Sequence, residues 1–113
     1  MPGVAGWFGK KTASAMANRV EIETALRRLA PKMPGHEFGA VVDHALDSRG
    51  LRTATPETAA WLSLVAYVRH ALTEYDDLLA QGYDQDSARF FVAEEMERVL
   101  AEWDVKRKLA AGD

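Results

Sequence analysis

Arg69, His70, Thr73, Glu74, Asp76 and Asp77 form the densest group of polar side chains in this 113-residue chain. Read as helix, His70 and Glu74 stand one turn apart, as do Arg69 and Thr73, and Thr73 and Asp77. A histidine and a carboxylate at that spacing can share a proton or give a metal two ligands. On a helical wheel His70, Glu74, Asp77 and Ser63 fall opposite the apolar stripe, where the plain reading is a solvated face. His44 with Asp47, and the adjacent His36-Glu37, would add ligands if a second helix packed beside His70, and a metal-activated hydrolase would follow. The motifs that make such a site specific are missing: no Glu precedes a His at the Glu-x-x-His spacing, and His36-Glu37 runs into Phe-Gly-Ala without a second His. No bound metal or other cofactor is expected.

Nucleophilic catalysis has less support. The chain has no cysteine and no G-x-S-x-G elbow, and its glycines form neither a dinucleotide nor a Walker loop. The chain is therefore expected not to be an enzyme. Arg89 and Glu95 edge one predicted helix as Arg69 and Asp76 edge the one before. Antiparallel packing would pair these charges across the hairpin, or leave a polar groove for a ligand. Arg69, His70, Thr73, Asp76, Arg89 and Glu95 are thus the candidate polar site.

Net charge is −3, which does not argue for nucleic acid in bulk. The charge is uneven: residues 1–35 hold six Lys/Arg against two Glu, and the remainder eight against fifteen Asp/Glu. Lys10, Lys11, Arg19, Arg27, Arg28 and Lys32 are the residues that would contact nucleic acid if the basic segment serves that purpose. Trp7-Phe8, in a glycine-rich opening, and Phe90-Phe91, with Phe90 nearly opposite Val92 on its helix, are candidate interface aromatics. Phe90 is expected to meet the N-terminal segment or a second chain. No signal-like or bilayer-length apolar stretch occurs, and the absence of cysteine suits a reducing compartment, so a soluble cytoplasmic protein with no membrane contact is expected.

The elements that must position these residues read as all-α. Thr55-Pro56-Glu57 starts a long helix carrying Trp61, Val65, Val68, Leu72, Tyr75 and Leu79 at spacings of four and three. Gly82 stops it, and Asp84 or Asp86 caps a return helix with Ala88, Val92, Met96, Val99 and Trp103 on its stripe. The expected architecture is a four-helix domain built around this long antiparallel hairpin, about 56–81 and 85–107, with two shorter helices before it. The first is read over 12–30, its firm start near Arg19, where Asn18 and Glu21 have capping-box spacing. The second spans 35–47 and closes at Gly50. Residues 1–11 are read as a flexible or docking segment, 12–109 as the domain, and VKRKLAAGD, with 110–113 at its end, as a fraying tail.

HEFGAVVDHAL and YVRHALTEYDDLLAQGYDQDSARFFV, within residues 36–103, resemble a family of small bacterial domains known as domain of unknown function 2293. The resemblance rests on Tyr67-Val68-Arg69-His70, Thr73, Tyr75-Asp76, Leu78-Leu79, Gly82 and Ala88-Arg89. It implies a shared fold and no established activity. The leading expectation is a non-enzymatic helical interaction module that self-associates or binds a protein. The alternatives are a nucleic-acid-associated protein using the basic segment, and a small metal-dependent enzyme centred on His70.

Overall fold

The computed structural model describes residues 18–110 and 113 of the chain. They form α-helices and connecting turns, with no strand among the described residues: α1 (Arg19–Leu29), α2 (Gly35–Asp47), a 3-10 turn (Arg49–Leu51), α3 (Pro56–Leu72), α4 (Tyr75–Ala80) and α5 (Gln85–Glu102). The expected residues 12–17 of the first helix lie outside the described residues.

The starts of these helices follow from local chemistry. Asn18 and Glu21 form a reciprocal capping box at 2.9 and 3.1 Å, satisfying two donors that the first turn of α1 would leave orphaned. The Thr55 hydroxyl accepts the Thr58 N–H at 3.2 Å ahead of Pro56. Asp84 accepts the Ser87 N–H at 2.8 Å and opens α5. Gly82 sits at φ +102°, a conformation that costs a glycine little and lets the chain reverse between α4 and α5. Gly50 is not a left-handed stop; it lies within the 3-10 turn, and α2 ends at Asp47 with Ser48 as its cap.

Two features of the expected hairpin are corrected. Its first rod is two helices, because the chain breaks at Thr73-Glu74 between α3 and α4. Its second rod ends at Glu102. Trp103 caps α5, and Asp104 takes a left-handed φ of 62°. There the Val105 N–H reaches the Leu100 carbonyl and the Asp104 N–H reaches that of Ala101, a Schellman closure with Asp in the usual glycine place. The start of the expected fraying tail is held down. Val105 is buried, the Trp103 carbonyl accepts the Lys32 N–H at 3.2 Å, and the Arg107 guanidinium lies 4.3 Å over the Trp61 ring.

The element with the most neighbours is α3, which packs chiefly on α1 and α2 and then on α5. Its buried side chains go well beyond one stripe: Ala59, Ala60, Trp61, Ser63, Leu64, Val65, Val68 and Arg69. A helix covered on several sides loses its amphipathic signature. Ile22 and Leu26 from α1, Val41 and Val42 from α2, and Val92, Met96 and Leu100 from α5 complete one core. Val65 and Val92 are both inside it, as the two-stripe reading requires.

Candidate functional site

The six residues of the candidate polar site do not converge on one centre. They divide at the α3–α4 break. Thr73 makes that break: its hydroxyl donates to the Arg69 carbonyl and accepts the Tyr75 N–H at 3.2 Å. A hydroxyl that satisfies main-chain groups in this way competes with helix continuation. The break turns His70 toward Asp76, with Nδ1 and Oδ1 2.7 Å apart, in place of the expected Glu74. Both side chains are largely exposed, and the His70 ring stands edge-on to Tyr75 at 5.1 Å. Glu95 pairs with Arg98 at 3.5 Å and meets neither arginine of the hairpin.

Arg69 and Arg89 are brought together instead, like charge facing like charge. The expected pairing of Arg69 or Asp76 with Glu95 or Arg89 does not form. Arg69 is only 7% exposed, donates through Nη2 to the main-chain oxygen of Asp113, and lies 5.7 Å from the Tyr75 ring centre. Burial, and then the Arg89 charge, lower its pKa from the ordinary arginine value. The Nε atoms of Arg69 and Arg89 are both buried without a hydrogen-bond partner among the described residues. The two line a cleft of about 410 Å³ with Phe90, Ala93, Met96 and Leu109 on its walls and Asp86 and Asp113 beside them.

The histidines do not assemble. His44 Nδ1 lies 3.1 Å from the Ser63 hydroxyl, and Ser63 is fully buried between α3 and α2, not on the solvent face expected for it. Glu37, next to His36, accepts the Tyr67 hydroxyl at 3.1 Å. Burial first, and then this bond, raise the Tyr67 pKa. Among the described residues no three His, Asp or Glu side chains are grouped to hold a metal ion.

The basic residues are dispersed. Arg19 is bound to Asp43 at 2.7 Å and approaches Glu23 at 3.8 Å, and Arg27 stacks over Phe38 at 5.1 Å. Arg28 and Lys32 are exposed, and Lys10 and Lys11 lie outside the described residues. Trp7 and Phe8 lie outside them too, so any cover they give Phe90 falls there as well.

The interface aromatics of α5 are in the open. Phe90 is 78% exposed and Phe91 58%. They meet edge-to-face at 5.9 Å, and Phe91 meets Tyr83 in the same way at 5.5 Å. The aromatic row stands on the side of α5 away from buried Ala88, Val92 and Met96. Sequence reasoning did not add Tyr83 to this row. Its signal was there, since Tyr83 precedes Ser87, Phe90 and Glu94 by helical steps.

Among the described residues, fold and site define a small all-α domain with an exposed aromatic face and a two-arginine cleft beside it. Residues 25–104 match the family described as uncharacterized conserved protein, DUF2293, and the chain belongs to that family. The match starts within α1, earlier than the resemblance from residue 36 suggests. No curated protein and no solved structure matches the chain. No helix among the described residues is long and apolar enough to cross a membrane.

Proposed function

We propose that this protein is a non-enzymatic interaction module that pairs with a second copy of itself through the Tyr83–Phe90–Phe91 face of α5. The observation that carries the reading is the 78% exposure of Phe90 within a contiguous aromatic row. Covering one such side chain stabilises an association by about 1.5–3 kcal/mol. Ser87, Glu94 and Arg98 continue the face at helical spacing. In an antiparallel crossing centred between Phe90 and Phe91, Arg98 of one copy would stand against Tyr83 of the other, and Glu94 against Ser87. A two-fold pairing needs just such a self-complementary patch, and Arg98 over Tyr83 adds a cation–π contact.

Sedimentation velocity over a concentration series tests this. The wild-type protein is expected to show a concentration-dependent dimer, and the Phe90→Ser/Phe91→Ser variant a monomer with unchanged helicity. A wild-type protein that stays monomeric throughout contradicts the reading.

A further inference from the structure

We infer that the cleft between Arg69 and Arg89 is a binding site for a monocarboxylate carried on an apolar group. This is separate from the pairing of α5 faces, though Phe90 borders both. Three observations lead to it. Arg69 is more than nine-tenths buried, yet its Nε, like that of Arg89, has no hydrogen-bond partner among the described residues. Buried polar groups are nearly always satisfied, and two orphaned guanidinium donors beside one cleft leave room for an acceptor that enters it. One Arg69 nitrogen already binds an oxygen, the main-chain oxygen of Asp113, so an oxygen acceptor fits there.

The chemical class follows from the walls and the charge. A carboxylate presents two oxygens to the guanidinium fork, and shape and charge agree there. Phe90, Ala93 and Met96 offer its carrier an apolar wall, and a cleft of about 410 Å³ has room for it. Asp86 and Asp113 also line the cleft, and of the two only the Asp113 charge acts on Arg69. A monoanion that takes the place of Asp113 brings one negative charge to the two arginines, whereas a dianion such as phosphate sets a second negative charge beside Asp86.

The test is a titration of the wild-type protein with phenylacetate at low salt, read at the arginine Nε–H resonances by nitrogen–proton NMR. Inorganic phosphate runs in parallel, as do a short N-acetylated peptide ending in a leucine carboxylate and its amidated form. Saturable shifts of the Arg69 and Arg89 signals are expected with phenylacetate or with the free-acid peptide. Whichever of the two binds tighter identifies the source of the carboxylate. Phosphate and the amidated peptide are expected to bind at least tenfold more weakly. Arg89→Gln, which lies outside the core, is expected to weaken phenylacetate at least tenfold while the Arg69 signal still reports on the fold. Absence of saturable shifts with both carboxylates overturns the site. Phosphate binding as tightly as phenylacetate overturns the ligand class. Neither result depends on whether the protein is a dimer.

Discussion

At the scale of single residues, the departures from expectation come from side chains that bond to partners far away in sequence or to the main chain. Ser63 looks like a surface residue on a wheel drawn for one helix, but α2 delivers His44 to it and buries it. Arg69 edges the stripe as expected and is then enclosed when Asp113 reaches it. No periodicity carries that information, because both contacts are set by packing. Thr73 differs, since a local signal existed: Thr73-x-x-Asp76 has the spacing of a helix start, and an uninterrupted apolar stripe hid it. Thr73→Val keeps the shape and removes both hydrogen bonds of the hydroxyl. Each is worth about 0.5–1.5 kcal/mol, so the variant is expected to lose about 1–3 kcal/mol in urea unfolding. An unchanged midpoint would show that Thr73 does not hold the break.

At the scale of elements, legibility was high wherever a backbone group needs a particular side chain. Asn18, Thr55, Asp84 and Gly82 all do in the structure what their types and positions implied. The ends without a dedicated residue were missed, as at Gly50 and at the Asp104 closure of α5. Gly82 has open space where a Cβ would go, so Gly82→Ala meets no clash and costs only the left-handed backbone, about 1–2 kcal/mol. On a domain of this size that lowers the melting temperature by roughly 4–8 °C per kcal/mol. The Asp84 carboxylate is held below the usual carboxylate range near 3.8, chiefly by the Ser87 N–H it accepts. A depressed carboxylate adds stability that is complete above its unfolded pKa and fades as pH falls through its folded value. Asp84→Asn still caps without titrating. Wild type is therefore expected to melt above the variant at neutral pH, with the gap closing below about pH 4. A gap that widens in acid would contradict this sign.

At the scale of the molecule, the all-α class and the burial of both stripes could be read from spacing alone, while the centre of the structure could not. The sequence suggests a hairpin with two accessory helices, whereas α3 stands in the middle with α1 and α2 as its principal neighbours. Its low amphipathicity carried that information, since a helix with apolar residues on several sides needs several neighbours. Closing the core around α3 uses one side of α5 and leaves Tyr83, Phe90 and Phe91 outward. The absence of cysteine allows single cysteines to report on that face without background. Ser87→Cys and Glu94→Cys proteins are mixed and oxidised, with Thr24→Cys on α1 in place of Ser87→Cys as the control. Antiparallel pairing of α5 faces brings positions 87 and 94 of different copies within disulfide reach, so the first mixture is expected to yield a cross-linked heterodimer and the control almost none. Equal yields from the two mixtures would contradict the α5 interface.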